Sequence, residues 1–186
     1  INFIRSKKSQ PWMVHLWFYT VHWPMQAPDA LLKKYKNRNG PGLNDTRYGA
    51  MIEAMDLAIG RLLDSLKLLG VDEETLVVFT SDNGPEKTWS KRIELYNHHS
   101  NDIYREGKRS IYEGGHRVPF IIRWPAKVKA NEKWNQSVCQ TDLLATFAEM
   151  LDKRLSDNAG EDSISFYPVL RGAVENSFAE RAAMVH

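Results

Sequence analysis

A chain of 186 residues, 42% hydrophobic and 26% charged, is long enough for one domain with a substantial core and too short for two large ones. Its formal net charge of +2 is too small to argue for nucleic acid or an acidic membrane surface, and no apolar run reaches the length that crosses a bilayer. The single cysteine, Cys139, excludes an internal disulfide and a cysteine-based zinc cluster.

The chain begins at Ile1, without an initiator Met or a basic-then-apolar leader, and stops at Met184-Val185-His186; both ends read as marks of a fragment or processed product. After a polar start, Trp12-Met13-Val14-His15-Leu16-Trp17-Phe18-Tyr19 is dense in aromatic and β-branched residues and predicts a strand buried on both faces, with His15 a core histidine. Pro24 and Pro28 then impose an extended loop on Thr20 to Pro28. His22 sits at the end of the predicted strand, either as a surface residue or as an imidazole available for proton chemistry.

Asp29 is placed to cap a short helix through Leu31, Leu32 and Tyr35, and Asn37-Arg38-Asn39-Gly40-Pro41-Gly42 is loop composition. The longest predicted helix runs from about Asp45 to Leu69. Met51, Met55, Ala58, Ile59, Leu62, Leu63, Leu66 and Leu69 recur at three- and four-residue spacing, while Glu53, Asp56, Arg61, Asp64 and Lys67 fill the opposite face. Gly70 stops it.

A short link, Val71 to Glu74, leads into Thr75-Leu76-Val77-Val78-Phe79-Thr80, a predicted buried strand that ends in Ser81-Asp82-Asn83-Gly84-Pro85. Chemistry in α/β folds lies just past the carboxyl ends of strands. Asp82 and Asn83 offer hard oxygen donors there, one charged and one neutral, which suits Ca²⁺ or Mg²⁺. Read by itself, Asp-Asn-Gly is more readily a turn than a metal site.

From Pro85 to Tyr112 apolar periodicity is scarce, and Trp89, Tyr96, His98, His99 and Lys108 stand among many charges; the stretch predicts a functional loop or lid. Adjacent histidines on a loop do not readily face one centre, so His98 and His99 are assigned to solvent or substrate contact and not to a metal. Gly114-Gly115 permits a close backbone approach before a second buried strand in Val118 to Trp124. Arg117 is open between clamping an anion and forming a structural ion pair.

A polar linker, Ala126 to Gln136, precedes an amphipathic helix over Thr141 to Leu151, with Thr141 as its cap and Asp142 complementing the helix dipole. Leu155 to Ser163 reads as loop, Ser165 to Gly172 follows it, and Asn176 to His186 reads as a short helix entering a strand.

Four features in this order carry a family resemblance: His22-Trp23-Pro24 with Pro28 beyond; the long helix leading to Phe79-Thr80-Ser81-Asp82-Asn83-Gly84; Gly107-Lys108 followed by Glu113-Gly114-Gly115-His116-Arg117-Val118-Pro119; and Trp124-Pro125. Asp142-Leu143-Leu144-Ala145-Thr146 and Phe166-Tyr167-Pro168-Val169-Leu170-Arg171-Gly172 extend the set. Together they resemble the sulfatases of the alkaline-phosphatase-like superfamily, over roughly Trp12 to Gly172. The resemblance implies an incomplete α/β fold, a mostly parallel sheet flanked by helices. Residues 1–186 would form the C-terminal portion of a single catalytic domain.

The implied activity is hydrolysis of a sulfate monoester, with calcium, or magnesium in its place, held partly by Asp82 and Asn83. His22 matches a histidine that hydrogen-bonds the ester, and Lys108 a lysine that contacts the sulfate and offsets charge on the leaving oxygen. Trp23, His98, His99 and Arg117, with Trp89 and Tyr96 nearby, are candidates to touch a sulfated small molecule or carbohydrate. The family's surroundings imply a periplasmic, secreted or lysosomal protein.

Two departures stand out. The family shows glycine around its lysine where this chain has Glu106 and Arg109. Sulfatases of this kind also use a formylglycine made within a C-x-P-x-R motif, whereas Cys139 is followed by Gln140-Thr141-Asp142. Cys139 therefore reads as a small hydrophobe near a helix start. The nucleophile is expected upstream of Ile1, and the chain by itself is not expected to turn over substrate. The alternatives are a phosphomonoester or phosphonate hydrolase of the same superfamily, or a non-catalytic remnant that binds a metal or a partner.

Overall fold

The computed structural model describes residues 1–38, 45–86, 89–172 and 181, with the backbone only at Trp89. Residues 39–44, most of the predicted Asn37–Gly42 loop, lie outside this set, as does all of the predicted Asn176–His186 tail except Arg181. The chain divides into two compact units, Ile1–Ile122 and Arg123–His186.

In the first unit the elements are α1 (Asn2–Lys7), α2 (Asp29–Tyr35), α3 (Thr46–Leu68), β1 (Val77–Thr80), α4 (Trp89–Tyr96) and α5 (Glu113–His116), followed by β2 (Phe120–Arg123), which runs to the boundary. α3 follows its sequence pattern closely. Asp45 caps it by accepting the Tyr48 N–H at 3.3 Å, which satisfies one of the helix's orphan donors. Met51 and Leu66 are buried and Met55, Ala58, Ile59, Leu62 and Leu63 half-buried, while Asp56, Arg61, Asp64 and Lys67 face solvent. Gly70, at φ +69, turns the chain out of the helix in a conformation that side chains resist. α2 packs against α3, and Lys34 reaches across to pair with Glu53. No helix among the described residues is long and apolar enough to cross a membrane.

β1 and β2 pair as a two-stranded sheet. The sequence predicts both strands, but not their surroundings: all four β1 residues are half-buried where full burial was expected. A larger correction concerns Trp12 to Tyr19. This stretch forms no strand, and it is largely exposed: Trp17 keeps 89% of its accessible surface, and His15, predicted as a core histidine, also faces solvent. β-propensity records how well a side chain fits a pleated, half-buried surface made by neighbouring strands. No strand among the described residues lies alongside to make that surface.

Residues 85–112, predicted as structureless, contain α4, and the polar start contains α1. α4 escapes periodicity because its one fully buried charged residue is Arg92, not an aliphatic side chain.

In the second unit α6 (Asp142–Met150) packs on α7 (Tyr167–Leu170). Thr141 occupies the N-cap position but makes no side-chain cap bond. Asp142, predicted as a first-turn acid complementing the dipole, holds that position and is fully buried. Its Oδ2 accepts the Cys139 N–H at 2.8 Å, and its Oδ1 accepts the Ile164 N–H at 2.8 Å and a guanidinium N–H of Arg181. Thr146, also buried, donates to the Asp142 carbonyl at 2.6 Å and accepts the Phe166 N–H at 3.1 Å. Cys139 Sγ lies 2.8 Å from the Thr141 hydroxyl.

Candidate active site

The loop that follows β1 is joined to residues 105–116 by backbone hydrogen bonds. The Gly84 N–H donates to the Gly115 carbonyl at 2.8 Å and the Lys108 N–H to the Pro85 carbonyl at 2.7 Å, while the Gly114 N–H closes the 105–116 stretch on itself by donating to the Arg105 carbonyl at 2.9 Å. Glycine is required at this seam by contact distance. A Cβ on Gly84 would stand 1.8 Å from the Gly114 oxygen, and one on Gly114 would stand 2.1 Å from the Glu106 oxygen. Arg109 closes the same seam by pairing with Glu86 at 2.9 Å. Asp82, Asn83 and Lys108 are thereby carried on two stretches of chain locked side by side.

Within the β1 loop, Ser81 Oγ donates to the Asn83 carbonyl at 3.1 Å, and the Asn83 amide donates to the Gly84 carbonyl at 2.9 Å. With its nitrogen committed, Asn83 presents Oδ1 as its remaining acceptor, next to the exposed Asp82 carboxylate. Two hard oxygens from one rigid loop fit part of the shell of Ca²⁺ or Mg²⁺, which take six or more oxygen ligands. No group of three or more His, Cys, Asp or Glu able to hold a metal occurs among the described residues. These two residues fit part of such a site, with further ligands required from elsewhere.

His22 lies in the loop after Tyr19, whose carbonyl accepts the His22 N–H at 2.8 Å. Its Nδ1 stands 2.7 Å from the Trp23 carbonyl, so Nδ1 carries a proton and donates, and Nε2 is the ring nitrogen left open to a further partner. The Tyr19 hydroxyl donates to the same carbonyl, which fixes the imidazole against the tyrosine ring with centroids 5.3 Å apart. Both His22 and Trp23 are exposed. Among the described residues no hydrogen bond or ion pair links His22 to Asp82, Asn83 or Lys108.

The remaining candidates fall into separate places. His98 stacks near Tyr48, with ring centroids 5.3 Å apart, and its Nε2 is buried without a hydrogen-bond partner. Burial, and then the Arg92 cation, hold its pKa below the ordinary histidine value. His99 is exposed. Arg117 donates to Glu113 Oε2 at 2.6 Å and lies 5.0 Å from the Tyr104 ring centroid, the structural ion pair that the sequence left open. That hydrogen bond is the first reason why the Glu113 carboxyl titrates below its usual range. The Trp89 side chain lies outside what the structure describes.

A family model described as Sulfatase matches residues 1–153. An N-acetylgalactosamine-6-O-sulfatase of Bacteroides thetaiotaomicron is 37% identical over 175 residues, a match covering 92% of this chain and 32% of the relative. Human steryl-sulfatase is 30% identical over 177 residues, covering 95% and 29% respectively. Among solved structures, Ps i-CgsB in complex with k-i-k-neocarrahexaose superposes with a TM-score of 0.76 at 29% identity, over 90% of this chain and 36% of that one. The chain thus spans about a third of the length of the relatives it matches, and its α/β fold is part of the alkaline-phosphatase-like architecture of those structures. With the family model matching most of its length and the relatives aligned across nearly all of it, this chain belongs to the sulfatase family.

Proposed function

We propose that this chain supplies the cation-loop and leaving-group side of a sulfatase active site, in a protein that hydrolyses the sulfate ester of a sulfated carbohydrate. The observation that carries the reading is the seam that sets Lys108 beside the Asp82–Asn83 loop through the Lys108–Pro85 and Gly84–Gly115 backbone bonds. The carbohydrate is favoured because a relative named as an N-acetylgalactosamine-6-O-sulfatase and a similar structure holding a neocarrahexaose both act on or bind sugars.

Cleavage of a sulfate monoester builds negative charge on the bridging oxygen while the non-bridging oxygens remain anionic. A hard divalent cation held by Asp82 and Asn83 would polarise those non-bridging oxygens. The Lys108 ammonium would set a positive charge beside the leaving oxygen as that oxygen gains negative charge. The His22 Nδ1–H is committed to the Trp23 carbonyl, so a protonated Nε2 can hydrogen-bond the ester oxygen and release its proton as that oxygen departs. Trp23, exposed beside it, offers an apolar face for a sugar ring. The nucleophile is assigned to polypeptide outside residues 1–186.

The test is Lys108→Ala in the complete protein that carries this chain. Turnover of an aryl sulfate is expected to fall by about 10²- to 10³-fold, the usual effect of removing one preorganised group from a developing oxyanion. Turnover unchanged within experimental error would remove Lys108 from the mechanism.

A further inference from the structure

His22 and Lys108 come from two loops that do not touch each other through their own side chains, so something else must set the distance between them. The residue that bridges the two stretches is Arg92 of α4, which the sequence does not single out. Only 7% of its surface is exposed. Its Nε donates to Asp45 Oδ2 at 3.0 Å, its guanidinium lies 4.2 Å from the Tyr48 ring centroid, and one guanidinium nitrogen lies 3.3 Å from the Met25 sulfur.

Met25 belongs to the loop of His22 and Trp23, three residues beyond His22. On the other side, the Arg92 carbonyl accepts the His98 N–H at 3.2 Å. Asn101, itself buried, then holds the chain towards Lys108 by donating to the Tyr104 and Glu106 carbonyls at 2.7 and 3.1 Å. The Arg92 guanidinium therefore ties α4, whose chain continues to Lys108, to the N-terminal end of the longest helix and to the loop of His22. A planar fork with several donors suits three simultaneous contacts of this kind; a point-charge ammonium does not.

We propose that Arg92 is a positioning residue that fixes the His22 loop and the segment ending in Lys108 relative to each other, and so sets where both groups meet the leaving oxygen of the ester. This inference rests on the sulfatase reading. Misplacement of groups that act on the leaving oxygen is felt most by substrates with poor leaving groups, such as a sugar alkoxide, and least by an activated phenol.

The experiment compares wild type, Arg92→Met and Asp45→Asn in the complete protein, with a sugar sulfate and with 4-nitrophenyl sulfate. Asp45→Asn keeps a good helix cap for α3 while removing the charge that holds Arg92. Both variants are expected to lower kcat for the sugar sulfate about tenfold or more, with a loss under about threefold for 4-nitrophenyl sulfate and little change in KM. Equal losses on the two substrates, or an Asp45→Asn variant that matches wild type, overturn the proposal.

Trypsin sensitivity at Arg105, Lys108 and Arg109 is read on the same three proteins. Faster cleavage there in both variants, with the sites in α2 unchanged, is expected; equal rates overturn the coupling even when every protein is inactive. A wild type that hydrolyses neither sulfate while its segment is protected only with Arg92 in place defeats the sulfatase reading and leaves the coupling standing.

Discussion

Single residues in this chain act through partners far along the sequence. Asp142 is the clearest case: a fully buried carboxylate satisfied by two backbone N–H groups and by Arg181, whose side chain is 8% exposed. Removing one member of a buried ion pair leaves the other charge without compensation, which costs about 3–5 kcal/mol. Asp142→Ala is expected to destabilise the second unit by that order, with Asp142→Asn intermediate because an amide oxygen can still accept one N–H. Urea denaturation followed by circular dichroism measures it, and a loss under about 1 kcal/mol would mean that α6 does not depend on this knot. The sequence supports only the weaker reading of Asp142 as an acid in a first helical turn, because Arg181 lies 39 residues away and no local pattern pairs them. Arg92 and Asp45, 47 residues apart, were hidden for the same reason. The close approach of the stretches that carry Asp82, Asn83 and Lys108 was legible because short glycine motifs with backbone consequences mark it. The glycines at 84, 114 and 115 mark where two main chains must approach, and contact distances at each of the three confirm the need.

At the scale of elements, legibility followed the source of the stabilisation. α3 was readable from end to end because its burial repeats with the helical period and its cap and stop are local. The Trp12–Tyr19 stretch was misread because strand formation needs an adjacent strand, and composition cannot report whether one is present. α4 was missed because it docks through a cation. That docking makes a pH prediction at the same scale. His98 follows α4, and the groups around it are Tyr48, Arg92, Asp45 and His99. Burial and Arg92 lower its pKa, outweighing the opposing effect of Asp45. Above the ordinary value of about 6.5, His98 is neutral whether the segment is docked or open, and titration changes nothing. As pH falls below that value the open form takes up the proton first, so docking weakens progressively down towards the depressed pKa of the docked form. Proteolysis of the 97–109 segment is expected to accelerate from about pH 6.5 downward, and His98→Gln is expected to flatten that dependence. An equally steep dependence in the Gln variant would place the titrating group elsewhere.

For the molecule as a whole, the distribution of apolar side chains is the feature with the largest physical consequence. Met13, Leu16, Trp17, Tyr19 and Trp23 each keep between 52% and 89% of their accessible surface, within eleven residues of chain. Scattered exposed hydrophobes are ordinary, but a run of this density outside any helix or strand places a contiguous apolar area in water. The relatives place this chain within a family whose members are about three times as long. A surface of this kind is expected to associate when the 186-residue chain is prepared by itself. Sedimentation velocity should show a weight-average mass that rises with concentration above the 21.4 kDa of the monomer. Replacing Leu16 and Trp17 with lysine should reduce that rise while leaving the helical circular dichroism of α3 intact, because the two charges break up the exposed apolar patch. Self-association that persists in the double variant would locate the sticky surface outside this stretch, and a wild-type chain that stays monomeric at high concentration would show that its exposed aromatic residues are tolerated in water.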